Sequence, residues 1–145
     1  MKKAILMLFT IIIIIVTIIC VNYNSYQIEY KNILEENKEF EQYMNKELYG
    51  TQLGTIINKA IDKNIKNKIA KDDKNLFIQN EENSIQIEIY MTDTEQIYKM
   101  ETIYNAGTQR FIQYYGNIKF KCSKIEYHEK TKRVKYILFE QIVTS

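Results

Sequence analysis

Apolar and polar positions divide this sequence into stretches of different period. From Ala4 to Val21 the run AILMLFTIIIIIVTIICV carries no charge, and Thr10 and Thr17 are its only mild polar interruptions. A helix apolar on all sides and of that length reaches roughly 27 Å at about 1.5 Å per residue, close to the hydrocarbon thickness of about 30 Å. The run is expected to be a transmembrane signal anchor. A cleaved signal peptide and a lipidated Cys20 are the alternatives. Against cleavage stands the exit Cys20-Val21-Asn22-Tyr23-Asn24-Ser25, which lacks a pair of small residues at the cut. Against lipidation stands the bulky Ile19 before the cysteine.

From Tyr26 to Tyr49 the chain has neither glycine nor proline and is dense in Glu, Lys and Gln, so a helix is expected throughout. Tyr26, Tyr30, Ile33, Asn37, Phe40 and Met44 recur at alternating steps of four and three, one seam of a coiled-coil-like face. That seam has two readings. In one it is a self-associating stalk, with the Tyr26 to Met44 helix forming a homo-oligomer whose buried Asn37 sets register. In the other it packs on its own domain, with Asn37 partly solvated.

Gly50 is expected to end this helix, with Thr51 capping a second one. In the second, Leu53, Ile56, Ile57, Ala60 and Ile61 form an amphipathic stripe. Asn64 to Asn75 mixes charges of both signs and reads as an exposed connector. Beyond it the period becomes two: Leu76 to Gln79 is a short β run, and Ile85, Ile87, Ile89 and Met91 alternate with Gln86, Glu88 and Tyr90. A brief strand follows from Gln96 to Lys99, then a helix from Glu101 to Tyr115 weakened by Gly107 and stopped by Gly116. Ile118, Phe120 and Cys122 alternate on one parity and Ile125 and Tyr127 on the other, as a bulge near Ser123-Lys124 would produce. Glu129 to Arg133 is a charged hairpin connection to a strand opened by Val134, Tyr136 and Leu138.

Strands joined by tight turns, with helices outside them, predict an α+β fold: a transmembrane helix continuing into a helical stalk, then a small antiparallel sheet with packing helices. The expected organisation is 1–21 as cytoplasmic tip and signal anchor, 22–49 as stalk and 50–145 as an extracytoplasmic α+β domain. Lys2 and Lys3 precede the span, and the charges after it begin Glu29, Lys31, Glu35 and Glu36. The positive-inside rule therefore places the N-terminus in the cytoplasm and the body outside the cell membrane.

At 145 residues the chain has room for one domain. Its 20 basic and 18 acidic residues become equal in number once Lys2 and Lys3 are set aside, so no basic excess points to nucleic acid. One histidine and two cysteines leave no material for a His-based triad, a zinc site or a disulfide framework. No phosphate loop, dinucleotide fingerprint or nucleophile elbow is present, and no cofactor is expected. His128 reads as a surface histidine beside the last hairpin. Carboxylate pairs such as Glu126 with Glu129, or Glu81 with Glu82, fall in stretches rich in Lys or Asn and read as solvated. The lysines of that hairpin, from Lys119 to Lys135, read as protection of an edge against aggregation, with a polyanion-binding edge as the alternative.

Cys122 lies on the apolar parity of its strand. It reads as a buried thiol, or, if exposed, as a candidate for an intermolecular disulfide. Of the 12 tyrosines, Tyr104, Tyr127 and Tyr136 are expected to lean on the core, which leaves Tyr90, Tyr98 and Tyr115 as candidate interaction residues.

The run MKKAILMLFTIIIIIVTIICV leading into a long helix and then a sheet resembles the layout of type IV pilins and pseudopilins, whose apolar N-terminal helix anchors and packs the subunit. This chain departs from their motif: the run follows Lys3 directly, without a processing site, and contains no acid. GTQLGTIINKAIDKN and KFKCSKIEYHEKTKRVKYILFEQI look like small membrane-anchored envelope proteins of low-GC Gram-positive bacteria. The bias toward Ile, Lys, Asn and Tyr agrees with an AT-rich genome. The expected function is a non-enzymatic, membrane-anchored interaction protein with a protein partner, such as an accessory subunit of a surface or secretion apparatus. The alternatives are an extracytoplasmic domain that binds or senses a small ligand or wall polymer, and a hydrolase working through carboxylates alone.

Overall fold

A computed structural model describes residues 2–143. Its contacts separate the chain after Glu35 into two compact units.

The first unit belongs to helix α1 (Lys2–Glu41), which is long and apolar enough to cross a membrane. Every side chain from Lys2 to Tyr26 is exposed. Thr10 and Thr17 donate their hydroxyls to the carbonyls of Leu6 and Ile13, at 2.9 and 2.8 Å, so neither asks for a partner outside the helix. Tyr26 and Tyr30 stack with ring centroids 6.4 Å apart.

The second unit is an α+β domain. After α1 come β1 (Glu47–Tyr49), α2 (Gly50–Lys66), β2 (Gln86–Met91), β3 (Gln96–Lys99), α3 (Met100–Ala106), α4 (Thr108–Tyr115), β4 (Lys119–Tyr127) and β5 (Val134–Gln141). The five strands form one sheet in the order β1-β4-β5-β2-β3. The expected antiparallel sheet is in fact mixed. β2 pairs with β3, and β4 with β1 and β5, in antiparallel fashion, but β2 and β5 run parallel. The α3-α4-β4 segment supplies the long connection that parallel neighbours need.

Alternation places the core on one face of the sheet. Ile87, Ile89 and Met91 of β2, Phe120 and Cys122 of β4, and Ile137 and Phe139 of β5 are buried there. The stripe predicted for α2 covers them: Leu53, Ile56, Ile57, Ala60 and Ile61 are all buried, each leucine and isoleucine side chain contributing up to about 1.5–3 kcal/mol. The register between β4 and β5 shifts between Cys122 and Lys124, where the change of parity predicts a bulge.

Four local expectations are corrected. The helix expected to reach Tyr49 ends at Glu41, because the next residues join the sheet: Asn45, at φ 58°, donates its N–H to Cys122 O, and Glu47–Tyr49 pair with β4. Helix propensity yields there to an available strand edge. The helix expected over Glu101–Tyr115 breaks at Gly107, whose φ of 96° is costly for any other residue. Leu76–Gln79 forms no strand, only a single bridge of Phe77 to Lys71. Asn64, assigned to an exposed connector, lies in α2 and is fully buried.

Asn64 and Asn37 share one device. Asn64 donates Nδ2–H to Ile85 O (2.8 Å) and accepts the Ile85 N–H on Oδ1 (2.9 Å). Asn37 likewise donates to Lys132 O (2.8 Å) and accepts from Val134 N–H (3.0 Å). A side-chain amide has the donor and acceptor of a peptide group, so each helix contributes one peptide-like rung to a strand or hairpin. Asn37 is therefore buried and fully bonded within its own domain, and Phe40 is buried beside it in sequence. Of the seam proposed for self-association, Tyr26 and Tyr30 remain exposed on the helix.

Candidate functional site

Three of the candidate residues separate cleanly by face. Register sets Ile89 opposite Tyr98, so Tyr98 shares the core face of the sheet, whereas Tyr90 lies opposite Ile97 on the other face. Tyr115 ends α4 on the core side. The structure thus brings Tyr98 and Tyr115 together and leaves Tyr90 apart.

Tyr98 and Tyr115 line a groove of about 180 Å³ between β3, α3 and α4, with Tyr114, Phe111 and Arg110. Met91 (β2), Ile103 (α3) and Phe111 (α4) are buried and form its base. Phe111 stacks obliquely on Tyr115, with centroids 5.2 Å apart, and on Phe120 beneath, at 6.2 Å. Tyr98 donates its hydroxyl to Gln96 at 2.8 Å, which directs its polar end away and leaves its ring for contact. The groove lies at the break between α3 and α4, with Gly107 in its lining. A Cβ there would meet nothing within 4 Å, so the glycine answers the φ of the break and not crowding. Arg110, Phe111 and Tyr114 are not among the residues expected to form a site. Their i, i+1 and i+4 spacing looks like an ordinary amphipathic turn until α4 is re-aimed.

Tyr90 belongs to the uncovered face of the sheet. There Tyr136 donates to Glu88 at 3.0 Å and Ser123 to Glu140 at 2.9 Å. Burial, with the bond to Glu88 adding to it, raises the Tyr136 hydroxyl well above its ordinary pKa. Tyr136 therefore stands on this face and not in the core where it was expected. Tyr104 and Tyr127, expected to lean inward, are exposed. Tyr127 donates to Glu41 at 2.8 Å, and local desolvation of that hydroxyl, although the residue as a whole is exposed, together with the bond pushes it up to about 12.

A wide depression of about 970 Å³ beside the last hairpin holds Glu41, Glu81, Glu126 and Glu129 among Lys130, Lys132 and Lys135. Its carboxylates are exposed or half-exposed and interleaved with lysines. His128, expected at the surface, is buried, with Nε2 2.8 Å from Ser84 O, so Nε2 carries the proton in that bond. Cys122 is fully buried, and burial pushes its thiol up to about 11. That is the environment of an inert thiol, closed to disulfide exchange with another chain. Buried Glu101, in the first turn of α3, accepts the Phe77 N–H at 3.3 Å. Among the described residues no cluster of His, Cys, Asp or Glu has the makings of a metal site.

Set against known proteins, the chain matches no family model, no curated protein and no solved structure.

Proposed function

We propose that this chain is a non-enzymatic, single-pass membrane protein whose α+β domain stands outside the cytoplasm and binds a small ligand in the tyrosine-lined groove. The observation that carries this reading is the convergence of Tyr98, Tyr114, Tyr115 and Phe111 around an open apolar recess. Concave, mainly apolar sites with few polar groups are where small molecules bind. The exposed run from Ala4 to Val21, behind Lys2 and Lys3, supports the anchor and its direction.

Two measurements test it. Protease added to intact cells is expected to digest the domain from outside; complete protection of the domain would reverse the assigned topology. In nuclear magnetic resonance of the full chain in lipid nanodiscs, one-ring fragments are expected to shift the ring signals of Tyr98, Tyr114 and Tyr115 but not of Tyr90. Ala106→Phe, which places a ring in the groove, is expected to abolish those shifts. Fragment shifts centred on Tyr90, or surviving in Ala106→Phe, would sink the reading.

A second reading, an accessory subunit of a surface or secretion apparatus, is favoured by exposed Tyr23, Tyr26 and Tyr30 on α1. These aromatic side chains follow the apolar run and offer a helical face to a protein partner or a second copy.

A further inference from the structure

We infer that the groove selects a monocyclic aromatic carboxylate, with its ring among the tyrosines and its carboxylate on Arg110. This rests on the groove being a ligand site, and it adds the chemistry of the ligand. Size comes first. A volume of about 180 Å³ is close to that of an apolar cavity of roughly 150 Å³ that takes benzene, so a single ring fills it.

Shape and electronics come next. Tyr98, Phe111, Tyr114 and Tyr115 present rings from two different elements, and aromatic pairs gain from offset or edge-to-face contact beyond the area they bury. An aliphatic occupant of the same volume lacks that gain.

Arg110 is the sole charged residue lining the groove. Its guanidinium makes no ion pair with the described residues, whereas the chain's other arginine, Arg133, is held by Glu36 at 3.0 Å. A guanidinium fork matches a carboxylate in two parallel hydrogen bonds, a geometry that an ammonium does not supply. An apolar recess with one unpaired arginine in its lining therefore favours a ring carrying a single carboxylate over a neutral ring.

Phenylacetate and its neutral isostere phenylacetamide separate the two parts of the inference. Calorimetric titration of the full chain in nanodiscs, corrected against empty nanodiscs, is expected to show phenylacetate binding about tenfold tighter than the amide, as one charge-assisted hydrogen-bonded pair provides. Arg110→Gln, an exposed position, is expected to bring the two probes to equal affinity. If wild type binds both equally, or the preference survives in Arg110→Gln, the assignment of a carboxylate to Arg110 is overturned while the groove remains a ligand site. If wild type binds neither, the groove itself is refuted and this inference falls with it.

Discussion

Replacing Gly50 with alanine is expected to cost the α+β domain more than about 3 kcal/mol, beyond the usual range for an overpacked core. Gly50 opens α2 where the chain passes directly against the end of α4. A Cβ at that position would lie 2.0 Å from Tyr115 O and 2.6 Å from its carbonyl carbon. Both are backbone atoms, fixed by the bonds that hold the junction: Gly50 N–H donates to Ile118 O at 2.9 Å and Thr51 N–H to Gly116 O at 3.3 Å. Relief would require α2 and α4 to move apart, with loss of packing along both. Gly54→Ala is the matched control. Its Cβ would meet Ile112 Cγ1 and Cδ1 at 2.9 and 3.0 Å and Thr108 Cγ2 at 3.2 Å, side-chain atoms that can shift where a backbone carbonyl cannot. Alanine also favours the helix by about 1 kcal/mol, so Gly54→Ala is expected to be near neutral. Urea titration of the full-length protein compares the two. A Gly50→Ala midpoint equal to wild type would show that the junction is looser than described.

Asn64→Leu is expected to destabilise the domain by about 4 kcal/mol, although leucine has a similar volume and a higher helix propensity. The loss is polar. Removing the amide leaves the Ile85 N–H and C=O without their partner in the interior, and a buried unsatisfied group costs about 1–3 kcal/mol. Hydrogen exchange provides an independent readout: Ile85 N–H, bonded to Asn64 Oδ1, should exchange only on global unfolding in wild type and much sooner in the variant. Should Asn64→Leu match wild type in both, the two-way amide bond contributes nothing to stability.

These two positions also mark where the sequence was readable and where it was not. The α2 stripe, the β2 alternation, the bulge near Ser123 and the hairpin from Glu129 to Arg133 all follow from side-chain period, which is local information. The end of α1 is not legible because Glu47–Tyr49 answers to β4, far along the chain, and nothing in a Glu- and Lys-rich segment announces that partner. The parallel pairing of β2 with β5 was hidden for the same reason: alternation says which face of a strand is buried but not which strand lies beside it. Asn64 and His128 looked like surface residues because polarity is the usual sign of exposure. Both are buried with backbone partners that only the folded chain supplies. The groove was half legible. Tyr98 and Tyr115 stand out in the sequence as spare tyrosines, but that they meet, with Arg110 beside the break at Gly107, follows only from the folded chain.

The position of β5 has a consequence for the order of assembly. β5 is the last of the five strands along the chain, yet it lies in the middle of the sheet, between β4 and β2. Until it emerges from the ribosome, β1–β4 and β2–β3 are separate two-stranded pieces with no neighbour in common, and such pieces are marginal in water. The domain therefore cannot mature segment by segment during synthesis. It closes in one late event, when a single strand fills the gap and joins the two halves, and a chain that stops short of Val134 is left with unpaired edges on both.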